Sequence, residues 1–288
     1  MGGCKMKFDD MLYGMTTLIE THIGSYVSQG SGFFYNALGE KDPSKDSQWV
    51  KVEGTWLVTN RHVALPRIND TEIIPDTFTF NLRQIVNDEI QWLPITLSKD
   101  EYLRRLKVHS NSIVDVVVID VGDLIVEQIK AGISLMSHAG LTSDNLPQNS
   151  RLPINVGDDI LVAGYPRGFY DIENKFPIVK SGVVSSRWGC NFNGQPVFLI
   201  DSKLFPGSSG SVVLTKPQYV AVIDGNLMYN KEGSYVFLGI YSGEPIRQNA
   251  PIELEDMTII KKDSYNVGNV WYSTLVPDII ANGLTITC

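Results

Sequence analysis

Ser209 lies in Phe205-Pro206-Gly207-Ser208-Ser209-Gly210-Ser211, a glycine-rich turn between two apolar runs, 197–200 and 212–214. A serine held this way is a candidate nucleophile. Gly207 lets the backbone take conformations closed to residues with a side chain. The N–H groups of Gly207 and Ser209 can then point into one small space, where two donors hold a developing oxyanion beside the hydroxyl. A hairpin turn with ordinary serines reads the same over seven residues. A serine hydroxyl is a weak nucleophile and needs a base, and the base needs an orienting group.

The histidines are His22, His62, His109 and His138, and no pair has metal-ligand spacing, so no metal site is expected. His62 ends the apolar stretch Val58-Thr59-Asn60-Arg61-His62-Val63, which by itself describes a histidine at a strand end. Asp115 sits inside Ile113-Val114-Asp115-Val116-Val117-Val118-Ile119-Asp120-Val121, a β-branched run that reads as a strand. Burying an acid there is costly unless it is paired, and a histidine ring N–H satisfies it. Asp120, five residues on, faces the other side and is expected to be solvated. Acid, histidine and serine together make a nucleophile with its base and orienter.

The elements that must position these groups are short. Strands are expected at 78–82, at 90–97 with a break at Pro94, and as a hairpin over 49–59 turning at Glu53-Gly54. Residues 37–48 read as a loop and 99–107 as a short helix with acids first and bases last. After a connection at 126–155, further strands are expected at 159–164, 178–185, 197–200, 211–214, 219–223, 235–241 and 269–275, then a short helix at 278–282. Many short strands with glycine turns imply barrels or sandwiches.

The chain has 288 residues, 43% hydrophobic and 19% charged, enough for one large domain or two modest ones. A net charge of -8 argues against a nucleic-acid partner; Arg104-Arg105-x-Lys107 is the best basic patch and reads as solvated surface. Cys4, Cys190 and Cys288 make no disulfide framework and fit a reducing compartment. No secretory signal is expected, Met6 spoils a myristoylation match, and no apolar run is long enough to span a membrane.

Taken together, the stretches at 58–63, 115–119 and 207–211, in the order His, Asp, Ser, resemble the trypsin-like (chymotrypsin-fold) serine proteases. The closer likeness is to bacterial HtrA-type and related disulfide-free peptidases. It is carried by Gly30-Ser31-Gly32-Phe33, Val156-Gly157-Asp158-Asp159, Ala163-Gly164-Tyr165-Pro166-Arg167-Gly168, Val179-Lys180-Ser181-Gly182-Val183-Val184-Ser185, Ile200-Asp201 and Leu238-Gly239-Ile240-Tyr241-Ser242, and it covers about 27–280. The resemblance implies an all-β fold of two six-stranded antiparallel β-barrels with a short C-terminal helix. It implies one peptidase domain over 1–288, with a first barrel at about 11–125, the connection at 126–155 and a second barrel with the helix at 156–288. It implies a bacterial, cytoplasmic serine endopeptidase that works through an acyl-enzyme on a protein or peptide substrate. Ser209 attacks, His62 is general base and then acid, Asp115 orients His62, and the N–H groups of Gly207 and Ser209 hold the oxyanion. No cofactor, nucleic acid or membrane is implied; a regulatory protein partner stays open.

Departures from the family pattern carry expectations too. Ser208 stands where digestive members carry an acid that pairs with a newly cut N-terminus, so that activation route is not expected. Ser211 replaces the usual second glycine, and the stretch after Ser209 is too short for a PDZ domain. By resemblance, Ser242, Gly243 and Glu244 pair with the substrate backbone as an added strand, and Lys203 falls at the base of the primary pocket. Two readings of that pocket follow. Either Lys203 turns to solvent on its long stem and Leu204, Phe205 and Tyr241 shape an apolar pocket, or its ammonium selects an acidic residue. The rival class for the whole chain is a silent protease-fold module that binds a peptide or protein.

Overall fold

The apolar run 113–121 shows no polar alternation, and packing gives the reason. Its strand is covered on both faces, with Val118 turned into one core and Val117 and Ile119 into another. The computed structural model describes residues 8–39, 50–87, 89–136, 140–248, 252–254, 257–259 and 262–286. Trp49, Cys4, Cys288, His138 and most of the 37–48 loop lie outside the described residues.

The first lobe runs from α1 (Phe8–Met15), which the sequence pattern did not reveal, through β1 (Thr16–Ile23), β2 (Tyr26–Leu38), β3 (Val52–Thr59), the single helical turn α2 (Arg61–Ala64), β4 (Thr77–Val86), β5 (Glu89–Ser98), α3 (Lys99–Arg105), β6 (Leu106–Val108), β7 (Val117–Asp120) and α4 (Gly122–Lys130). The second holds β8 (Asp159–Gly164), β9 (Ile178–Val184), β10 (Val197–Asp201), β11 (Val212–Thr215), β12 (Gln218–Ile223), β13 (Asn226–Ser234), β14 (Phe237–Gly243) and β15 (Gly268–Tyr272), followed by α5 (Leu275–Asn282) and β16 (Leu284–Thr285).

The architecture is mostly β with a few short helices, as expected, and the helix near the C-terminus is present. β8, β9, β10, β15, β14 and β11 close into a six-stranded barrel. The other lobe differs in detail from a six-stranded barrel. It is a curled eight-stranded sheet in the order β16-β6-β7-β3-β2-β1-β4-β5, ending in two edges. Pro94 does not break its strand. It pairs with Asn81 on the edge strand β5, where a residue without an N–H is tolerated. The expected turn at Glu53-Gly54 is absent, because β3 continues through both residues against β2, with a shift of register that skips Glu53. α3 forms as expected, its first turn closed by the Ser98 hydroxyl accepting from the Glu101 N–H.

β12 was expected among the second set of strands, but it leaves the barrel and pairs only with β13. One face of this ribbon packs Ala221 and Ile223 toward the barrel core. The other shows Val220, Val222, Leu227 and Tyr229 to solvent, the last two 76% and 73% exposed. The basic patch at 104–107 is engaged within the chain. Arg105 pairs with Asp123 and Glu101, and Lys107 Nζ donates to Ile280 O at 2.6 Å. Among the described residues, no helix is long and apolar enough to cross a membrane.

Three cores result. One fills the curled sheet and another the barrel. The third lies between the lobes, where Phe33, Val58, Val116 and Val118 meet Val212, Leu214, Phe237 and Ile240. The first and last described helices cross to it. α1 supplies Leu12 and Met15, with Phe8 packed edge-on to Tyr235 of the second lobe. α5 supplies Leu275, Val276 and Ile279, and β16 then pairs with β6 of the first lobe.

Candidate active site

His62 stands in α2, the turn that follows β3. The backbone carbonyl of Asn60 accepts from the Val63 and Ala64 N–H groups and sets this turn at the strand end. The Asn60 amide donates to the Asp115 carbonyl at 2.7 Å and ties the turn to the segment before β7. Asp115 therefore lies just ahead of its strand and not inside it, and its side chain is 21% exposed. Its carboxylate takes the His62 backbone N–H on Oδ1 at 2.9 Å and faces His62 Nδ1 with Oδ2 at 2.7 Å. A carboxylate only accepts, so Nδ1 carries a proton in this contact. The imidazole is 42% exposed and open to a ligand. Asp120 lies away from this group and accepts from the Gly122 N–H.

Ser209 comes from the second lobe, in the turn between β10 and β11. Gly207 and Gly210 both hold left-handed φ, +86° and +84°. Ser208 N–H donates to Phe205 O, Gly210 N–H to Tyr241 O and Ser211 N–H to Ser208 O. Among the described residues, the N–H groups of Gly207 and Ser209 have no protein acceptor. Buried Ser31 of β2 braces the turn from the other lobe. Its N–H donates to Ser209 O at 2.8 Å and its hydroxyl to Gly207 O at 3.1 Å.

Ser242, at the end of β14, joins the two halves of the site. Its hydroxyl donates to Asp115 Oδ2 at 2.8 Å, and its carbonyl accepts from Ser209 Oγ at 3.2 Å. No hydrogen bond joins Ser209 to His62 in this arrangement. The sequence reading assigned Ser242 to substrate pairing and missed its hydroxyl's contact with Asp115. The two residues are 127 positions apart, and no local pattern signals the contact.

A cavity of about 230 Å³ opens beside Ser209, lined by Leu204, Phe205, Pro206, Tyr241, Gly243 and Glu244. Lys203 is exposed and does not line it. Burial raises the Tyr241 phenol well above its ordinary value, and the nearby Glu244 carboxylate adds to this. A larger cavity of about 490 Å³ is lined by His62 and Asp115 together with Arg67, Ser112 and Ile113. There Arg61 grips Glu72 through two bonds of 2.8 and 2.9 Å. That guanidinium holds the Glu72 carboxyl below its ordinary value, against the opposing effect of partial burial.

The family model for a trypsin-like peptidase domain matches residues 30–221, a span that includes His62, Asp115 and Ser209. No curated protein sequence matches. Among solved structures, the chain is similar to the Rv3671c protease from M. tuberculosis in its active form, with 16% identity, 96% of this chain and 83% of that one covered, and a TM-score of 0.44. It is also similar to the protease Anisep from Arthrobacter nicotinovorans, with 13% identity, 90% of each chain covered and a TM-score of 0.41. For the tobacco etch virus protease complexed with product the figures are 10% identity, 82% of this chain and 70% of that one, and 0.42.

Proposed function

Because this chain belongs to the trypsin-like peptidase family, we propose that it is a serine endopeptidase working through Ser209, His62 and Asp115. The observation that carries the reading is the Asp115–His62 contact of 2.7 Å, which engages Nδ1, together with Ser242, which bonds both Asp115 and Ser209. Ser209 Oγ attacks the scissile carbonyl carbon as its proton passes to His62 Nε2. The carbonyl oxygen becomes an oxyanion held by the Gly207 and Ser209 N–H groups. The C–N bond then breaks, His62 gives its proton to the leaving amine, and an acyl-enzyme remains. Water repeats the sequence with His62 as base and frees the acid.

The substrate strand adds along Ser242, Gly243 and Glu244, with a substrate N–H donating to the Ser242 carbonyl. That carbonyl is the acceptor Ser209 uses in the free protein, so substrate entry favours the turn of the hydroxyl toward His62. Catalytic hydrogen bonds often tighten only when substrate is bound. Lys203 lies outside the cavity, which supports an apolar primary pocket.

One observation favours the rival reading of a silent binding module: the Ser209 hydroxyl rests on Ser242 and not on His62. A fluorophosphonate probe separates the two. Labelling mapped to Ser209, lost in Ser209→Ala and retained in Ser208→Ala, supports the peptidase, as does turnover of a mixed peptide pool. A folded protein that neither labels nor cleaves is the module.

A further inference from the structure

Arg83 of β4 is 2% exposed and, among the described residues, meets no carboxylate. A buried cation is costly without an anion, so its partners need an account. Nη1 donates to the Tyr13 carbonyl at the end of α1 and to Thr16 O at 2.9 Å. A cation is favoured at that end of a helix. Nη2 donates to the Tyr165 hydroxyl at 2.6 Å and to Lys175 O at 2.5 Å. One guanidinium thus ties the start of the chain and the first lobe to both ends of the segment 165–175 in the second. Tyr13 strengthens the tie by stacking on Phe176, ring centroids 4.1 Å apart.

The segment so held carries the turn that touches the nucleophile loop. Arg167 has φ +51°, a left-handed conformation that costs a residue with a side chain and must be imposed by its surroundings. Its N–H donates to Pro206 O at 2.9 Å. In a trans peptide the C=O and the following N–H point opposite ways. Fixing Pro206 O on Arg167 therefore turns the Gly207 N–H away from that turn, toward the space beside Ser209. The fit is close, since a Cβ at Gly207 would come within 2.4 Å of the Arg167 nitrogen.

We propose that Arg83 is a positioning residue for the oxyanion site: it fixes the 165–175 segment, which sets the Pro206–Gly207 peptide with its N–H toward Ser209. The inference rests on the peptidase reading for its effect on rate but not for its effect on structure. Two measurements test it on the full chain. Hydrogen exchange on Arg83→Gln is expected to show faster exchange in peptides covering 165–175 and 205–211, with β7 and β11 unchanged. Turnover is expected to fall about 10²- to 10³-fold, the loss of one oxyanion donor, with KM within about threefold and partial recovery in Arg83→Lys. A folded Arg83→Gln with wild-type exchange at 205–211 overturns the proposal, as does unchanged turnover. If Arg83→Gln does not fold, Phe176→Ala decides: it removes only the ring stack at the far end of the segment, and wild-type exchange at 205–211 in that variant also overturns it. A wild-type protein that cleaves nothing refutes the peptidase reading, while the exchange data still judge Arg83.

Discussion

Ser242 gives its hydroxyl to the same Asp115 oxygen, Oδ2, that faces His62 Nδ1, at 2.8 and 2.7 Å. Asp115 is thereby held from both lobes, by Asn60 and His62 in one and Ser242 in the other. Removing Ser242's hydroxyl leaves Asp115 its contacts with His62. Removing the charge of Asp115 takes away the tautomer preference itself.

Asp115→Asn is therefore expected to lower turnover by about 10⁴, and Ser242→Ala by only about tenfold, the scale of one hydrogen bond to a charged group. Steady-state kinetics on both variants checks the ranking. Equal losses would show that Ser242 is as necessary as the acid.

Gly210→Ala should destabilise the whole protein. Its φ is +84°, and an added Cβ would lie 1.9 Å from Ser31 O and 2.5 Å from Thr59 Oγ1. The backbone conformation alone accounts for about 1–3 kcal/mol, and the collision with the neighbouring strand adds to it. Denaturant melts report this directly; an unchanged midpoint contradicts the packing described for this loop.

The primary pocket should accept apolar residues and ignore Lys203. A peptide-library profile of Lys203→Ala is expected to match wild type. Cleavage after Asp or Glu that disappears in Lys203→Ala would restore the charge-pairing reading, and cleavage after Lys or Arg would point to Glu244.

Glu72 predicts an acid-side stability effect. Its carboxyl is held below the ordinary value of 4.5 in the folded protein, first by the Arg61 hydrogen bond. A depressed folded pKa stabilises the fold above the unfolded value, and that contribution is lost as pH falls through the folded value. The Glu72→Gln variant should thus melt below wild type at pH 7, by about 1 kcal/mol or less for a partly exposed pair. The difference should start to shrink as pH falls below 4.5 and vanish only once pH has passed the lowered folded value, where Glu72 is protonated in both states. A pH-independent difference would mean that the Arg61–Glu72 pair carries no such linkage.

The sequence showed most plainly what short local patterns encode. β8 spans 159–164 as expected because glycine-containing turns bracket a β-branched run. The meeting of His62 with Asp115 was legible because an acid set in an apolar run needs a partner, while Ser209 stood out only by the glycines of its turn. α1 was not, since eight residues give little more than two turns of pattern. α4 went unread, its second half falling at the start of the connection expected at 126–155, because Val121, its N-cap, offers no side-chain cap. β13 escaped notice because Asn226, Asn230, Lys231 and Glu232 are poor strand formers, and pairing with β12 overrides that preference. The roles of Ser242 and Arg83 depend on contacts far apart along the chain, and composition or periodicity holds no trace of them.

The return of residues 275–285 to the first lobe sets an order of events during synthesis. At about 5–20 residues per second, the segment that completes the sheet beside β6 follows Asp115 out of the ribosome by roughly 10–30 s. Until then β6 has an open edge and the core between the lobes lacks Leu275, Val276 and Ile279. The packing between the lobes, across which Ser242 reaches Asp115, is thus completed by a segment made long after Asp115.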